Sequence, residues 1–109
     1  MSKITKDSIE AFCTGTAFKR GNMQVVIDGG KVKLLQHGNL IAIRDTTDSL
    51  YDTCITNAGW WSVTTKERLN ALLTRATQGA WGLYSEKGEW VLFSRKHGED
   101  KPFTGTAYI

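Results

Sequence analysis

Two adjacent tryptophans, Trp60 and Trp61, stand just before a segment that begins Thr64-Thr65-Lys66-Glu67-Arg68. A helix N-terminus carries unpaired backbone N–H groups and a partial positive charge, so it suits an anion. Lys66 and Arg68 fall in the first turn, where basic side chains oppose the dipole. A docked phosphate would account for both, with an indole stacking on a base at about 1–3 kcal/mol. The competing reading alternates the two indoles, one buried and one half exposed, and leaves Lys66 and Arg68 solvated. Arg68 and Arg75 are seven residues apart, on one side of the helix, where they suit a carboxylate or phosphate of a partner; a solvated helix back is the plainer alternative. A second cationic set is Lys19, Arg20, Lys31, Lys33 and Arg44, with Lys31 and Lys33 on one strand face. That face could track a nucleic-acid backbone, or it could simply guard a sheet edge.

Other candidates for chemistry are weaker. His37, in His37-Gly38-Asn39, is the residue type best suited to move protons near neutral pH, but no nucleophile is placed beside it, and a structural turn is the simpler expectation. Asp28, Asp45, Asp48 and Asp52 lie near turns, where aspartate is common for backbone reasons. A metal-dependent hydrolase would need such carboxylates to converge. His97 reads as a loop residue. Cys13 and Cys54 lack Cys-x-x-Cys spacing, which argues against a zinc site; a single disulfide is one reading, and two buried free thiols, expected of a cytoplasmic chain, are the other. No metal or cofactor is expected.

These residues must be held by a small frame. The chain has 109 residues, 40% hydrophobic and 23% charged, enough for one domain over residues 1–109 with a single core. No apolar run is long enough to span a bilayer, and the opening residues have no apolar stretch of signal-peptide length. The expected location is therefore a cytoplasm. The net charge of +3 argues against a DNA mimic, which needs a dense acidic surface, and mildly favours anionic partners.

Short apolar runs separated by glycine turns predict strands over Phe12–Lys19, Met23–Ile27, Lys31–Gln36, Leu40–Arg44 and Leu50–Thr56, running as a meander. Ser8 to Ala11 could add a helical turn. The period then changes. Leu69, Leu72, Leu73 and Ala76 recur at i, i+3, i+4 and i+7, which predicts an amphipathic helix. Thr64 as N-cap with Glu67 at N3 would open it as a capping box, and Gln78-Gly79 would end it. A second hairpin follows around Glu86-Lys87-Gly88, then a charged loop Arg95–Lys101 and a last strand Phe103–Ile109. The expected fold is α+β: a twisted antiparallel sheet, meandering and part-closed towards a barrel, packed by one helix. Phe12, Phe18, Tyr51, Trp81, Trp90 and Phe93 are the aromatic core candidates. Phe12–Phe18 echoes Phe103–Tyr108. If both segments lie at sheet edges they could pair, making a homodimer.

The run Leu35-Gln36-His37-Gly38-Asn39-Leu40-Ile41-Ala42 and the later run Ala58-Gly59-Trp60-Trp61-Ser62-Val63-Thr64-Thr65-Lys66-Glu67-Arg68-Leu69-Asn70, together with Thr14 to Asn22, resemble a group of small tailed-bacteriophage accessory proteins. The shared features are the His-Gly-Asn turn, the Gly-Trp step and Thr-Thr-x-x-Arg-Leu-Asn opening a helix. The likeness runs from about Cys13 to Leu73; the doubled tryptophan departs from the single one of the group. It implies a phage accessory protein in the host cytoplasm and carries over no activity. Three function classes follow. The first is a non-catalytic module docking on nucleic acid or a nucleoprotein machine through Trp60, Trp61, Lys66, Arg68 and Arg75, with Lys31 and Lys33 as a second patch. The second is an inhibitor of a host defence or replication protein through an aromatic surface. The third is a small metal-dependent hydrolase using His37 and an aspartate.

Overall fold

The computed structural model describes residues 2–46, 53–95 and 98–109. The chain begins with a helix where a strand was expected. Helix α1 spans Lys3–Thr14. Its inward positions are Thr5, Ser8, Ile9 and Phe12, spaced i, i+3, i+4 and i+7 and all buried. Two of the four are hydroxyl residues, so the stripe is not apolar in sequence. Ser8 makes this tolerable by donating to the Thr5 carbonyl at 2.9 Å. Ser2 caps the N-terminus through the Thr5 N–H. Gly15 ends the helix in the left-handed region (φ 70°), its N–H turned back to Ala11 and Phe12. The expected strand from Phe12 is therefore corrected: its first half is the last turn of α1, and the glycine is a helix stop.

Five strands follow as an antiparallel meander: β1 (Phe18–Arg20), β2 (Met23–Asp28), β3 (Lys31–Gln36), β4 (Asn39–Asp45) and β5 (Thr53–Thr56). Met23, Val25, Val32 and Leu34 alternate inward, as the period-two pattern requires. Ile41 and Ala42 are consecutive yet both buried, because the β3–β4 register shifts between Leu34 and Leu35. Helix α2 (Val63–Thr77) comes next, then β6 (Trp81–Glu86), β7 (Glu89–Ser94), β8 (Glu99–Pro102) and β9 (Thr106–Tyr108). Strand β9 returns to pair with β5, giving a six-stranded sheet in the order β1-β2-β3-β4-β5-β9; β6-β7-β8 form a second sheet.

The α+β class stands, with three corrections to its detail. The described residues form two helices, not one. They form two open sheets, not one part-closed sheet. The charged stretch after Arg95 contributes a strand, β8, not only a loop. The core joins Phe12, Val25, Leu34, Ile41, Ile55, Leu69, Leu72, Leu73, Leu92 and Phe103 in one cluster. Of the expected aromatic core, Phe12 and Trp90 are buried, while Phe18, Trp81 and Phe93 are half-buried; Phe103 is a core residue that was not expected. Tyr51, Asp48, Asp52, His97 and the first part of the expected fifth strand lie outside the described residues.

In α2, Leu69, Leu72 and Leu73 are fully buried, but Ala76 is exposed. The helix starts earlier than the capping-box spacing implied. Ser62 is the N-cap: its Oγ accepts the Thr65 N–H at 3.2 Å and donates to Thr65 Oγ1 at 2.9 Å. Thr64 is an exposed residue of the first turn. At the other end Gln78 itself takes the left-handed conformation, φ 56°. Beside the helix, Asn70 accepts the Leu83 N–H at 3.0 Å, which ties α2 to the outer side of β6. Ser62→Ala should lower unfolding stability by about 1 kcal/mol, and Thr64→Ala should change it by less than about 0.5 kcal/mol. Urea melts of both variants check this. Equal losses would mean that the cap is misplaced.

Candidate functional site

The two indoles are presented by a rigid turn between β5 and α2. Asn57 is buried and anchors it: its N–H reaches the Gly105 carbonyl at 3.0 Å, its Oδ1 takes the Gly59 N–H at 2.9 Å, and its carbonyl takes the Trp60 N–H at 2.8 Å. The chain reverses through Ala58 (φ 54°) and Gly59 (φ 83°), both left-handed. Trp60 and Trp61 then point to different parts of the fold. Trp60 is 38% exposed and stacks on the His37 ring at 5.5 Å and 29°. Trp61 is 55% exposed and stands nearly perpendicular to Trp90 (5.0 Å) and Phe103 (6.3 Å), which stack on each other at 19°. One indole thus leans on the β3–β4 turn of the large sheet and the other on the small sheet. Trp61, Gly88, Glu89, Trp90, Pro102 and Phe103 line a cleft of about 470 Å³. Neither ring is sealed in the core: both reach solvent, unlike the alternative of one buried indole.

The cations behave differently. Lys66 stays near the indoles' helix, its Nζ donating to Ser85 Oγ of β6 at 2.5 Å. Arg68 does not reach solvent: it is 7% exposed. Its Nε donates to Thr5 Oγ1 (3.2 Å), Nη1 to Gln36 Oε1 (2.8 Å) and Nη2 to Asn22 Oδ1 (3.1 Å). Burial pulls its pKa below the usual arginine value, though arginine stays protonated at physiological pH. The expectation of Arg68 as a docking residue is thus corrected. The helix turns it toward α1 and the end of β3, where three neutral acceptors hold it. Arg75 is exposed, but it makes a two-pronged pair with Glu10 of α1 at 2.9 and 3.2 Å. That pair lowers the Glu10 carboxyl pKa and raises that of Arg75. Arg68 and Arg75 therefore do not form one surface.

The second patch is also divided. Lys33 bridges Asp28 at 3.2 Å and Lys31 is exposed. Both lie four to six residues along β3 from His37, roughly 13–20 Å from the indole end. Of the other sheet cations, Arg20 pairs with Asp7 at 2.8 Å. Arg44 donates to the Phe12 and Cys13 carbonyls at 3.0 and 3.3 Å, a cation placed on the C-terminal end of α1. Trp60, Trp61 and Lys66 are thus gathered at one end of the fold; Arg68, Arg75, Lys31 and Lys33 are not part of that group.

His37 is a turn residue with φ 51°, and its N–H reaches the Asn22 carbonyl at 2.8 Å. Its Nε2 lies 3.1 Å from Asn22 Nδ2. Since Asn22 Oδ1 accepts from Arg68, the amide nitrogen donates, and Nε2 is the accepting nitrogen of the imidazole. A chain Arg68–Asn22–His37–Trp60 therefore runs from the buried cation to the exposed indole. Both cysteines are free and half-buried, and burial raises both thiol pKa values. Among the described residues, no three His, Cys, Asp or Glu side chains are placed to hold a metal ion. A concavity of about 790 Å³ lies between the helices beside Lys6, Ile9, Glu10 and Ala71, away from the indoles.

The residues that sequence reasoning did not assign to this surface are Asn22, Trp90 and Phe103. Asn22 and His37 close the facing turns at one end of the β2–β3 pair, so the register of a hairpin brings them together. That proximity was readable in principle from the two glycine turns. The Trp61–Phe103 contact joins distant segments and had no local signal.

The model of the Kyanoviridae Gp96 protein family matches residues 1–108. The chain belongs to this family. It is a family of phage proteins, so the phage context drawn from the resemblance holds at that level. No curated protein and no solved structure matches the chain. No helix among the described residues is long and apolar enough to cross a membrane.

The network makes Arg68 a test of the assignment. Arg68→Leu should lower stability by about 2–4 kcal/mol, because it strips the guanidinium from the buried Gln36 acceptor and the half-buried Asn22 acceptor. Guanidinium melts measure this. A loss under about 0.5 kcal/mol, the usual cost at a solvated surface position, would return Arg68 to the surface.

Proposed function

We propose that this phage accessory protein is a non-catalytic docking module that grips a host or phage protein through the aromatic ridge of Trp60 and Trp61. The observation that supports this reading is the contrast between the rings and the charges. The two indoles face solvent on a preformed support, whereas Arg68, Arg75 and Lys33 are engaged inside the molecule or in ion pairs. Tryptophan on a rigid base is the commonest kind of energetic anchor in protein interfaces. A nucleic-acid groove instead needs several uncommitted cations along the path of the backbone. Glu89 at the lip of the Trp61 cleft adds a carboxylate there, which also disfavours a phosphate.

Docking on single-stranded nucleic acid is the second reading. What favours it is the first turn of α2, which carries no acidic residue and has Trp61 just before it and Lys66 within it. Tagged protein used to capture partners from infected host cells, with and without nuclease, separates the two. The protein-docking reading expects a partner that survives nuclease digestion and binds Trp61→Ala at least about tenfold more weakly, as for an anchor residue worth 2 kcal/mol or more. Loss of the partner on digestion, together with a Trp61-dependent gel shift of single-stranded oligonucleotide at low salt, would replace it with the second. Circular dichroism shows that the variant is folded.

A further inference from the structure

Each sheet ends in two edge strands, and three of the four are guarded. Strand β6 lies along α2, with the Leu83 N–H taken by Asn70. Strand β8 reads Glu99-Asp100-Lys101-Pro102: three charges and a proline, the usual protection against strand addition. Strand β1 carries Lys19 and Arg20, the latter bridged to Asp7 of α1. Strand β9, Thr106-Ala107-Tyr108, has no charge and no proline, and no described strand is hydrogen-bonded to its outer side; Leu92, Lys101 and Pro102 line a small cleft beside it.

The register says which backbone groups are open. Ile109 N–H donates to the Thr53 carbonyl at 2.9 Å and Asn57 N–H to the Gly105 carbonyl at 3.0 Å. With Ile55 opposite Ala107, the hydrogen-bonded positions of β9 are therefore 105, 107 and 109. In an antiparallel ladder these alternate with positions whose groups point the other way. The N–H and C=O of Thr106 and Tyr108 thus point away from β5. Their side chains share one face and are exposed, Tyr108 at 65%, while Ala107 turns to the core face.

We propose that β9 pairs antiparallel with β9 of a second copy, making a twofold dimer with a continuous sheet across the junction. The strand is self-complementary about Ala107. Placing the axis there sets Thr106 opposite the other copy's Tyr108, and Tyr108 opposite its Thr106. Both are hydrogen-bonded positions, so four N–H···O bonds form and each exposed tyrosine covers a threonine. Ala107 then faces its own copy at the close, non-hydrogen-bonded position, where a small side chain fits. The indoles and α2 take no part, so this surface is independent of the docking ridge.

Sedimentation equilibrium over a concentration series tests the pairing. The wild-type chain should approach twice its 12.1 kDa mass. Tyr108→Pro removes an outward donor without touching the β5 ladder, and Tyr108→Lys places a charge on the edge. Each should weaken dimerisation at least about tenfold with an unchanged circular dichroism spectrum. If the proline variant fails to fold, the lysine variant decides. A wild-type chain that stays monomeric throughout, or variants that dimerise like wild type, would overturn the proposal.

Discussion

The Arg68 guanidinium is the constraint on which the rest of the arrangement hangs. It gathers Thr5 of α1, Asn22 of the β1–β2 turn and Gln36 at the end of β3, and Gln36 in turn donates to Thr65 of α2 at 2.9 Å. Removing a charge from water is costly. Here the hydrogen bonds come from neutral acceptors, with the Glu67 charge also favouring the cation, and such hydrogen bonds to a charged group are stronger than those between neutral partners. The planar fork spreads its donors over three nitrogens, whereas a lysine would offer its own from a single atom. It sets how the two helices meet and where both meet the large sheet.

That constraint also explains which parts of the structure were legible in advance. The meander and the second hairpin were visible, because each depends on local alternation and on glycine turns. The stripe of Leu69, Leu72 and Leu73 was visible for the same reason. Helix α1 was hidden because Thr5 and Ser8 occupy inward positions, and they are suited to that place only once Ser2 and Arg68 are beside them. Strand β8 was hidden because its charges read as loop, whereas they act as an edge guard. At the candidate site, exposure of both Trp60 and Trp61 was one of two readings left open by the sequence, and the fate of the cations was not foreseen. Whether an arginine in the early turns of a helix faces water or its neighbours depends on what the other helix brings, and no local pattern carries that information.

The family places this chain among phage proteins, and the physical reading adds where such a protein could be gripped. Indoles on one end and an open strand on another surface are separable features built from different parts of the chain. The first rests on long-range packing between both sheets. The second rests on the short return of β9 to β5.

The turn that carries the indoles holds an alanine, Ala58, in the left-handed region, which costs an L-residue roughly 1–2 kcal/mol. Asn57 is pinned on both sides of it, so the reversal persists despite the penalty. Segments that are ordered beforehand lose little conformational freedom on association. Whatever settles on Trp60 and Trp61 therefore meets a surface already in its final shape, and recognition there should resemble a lock receiving a key more than a loop closing over a guest.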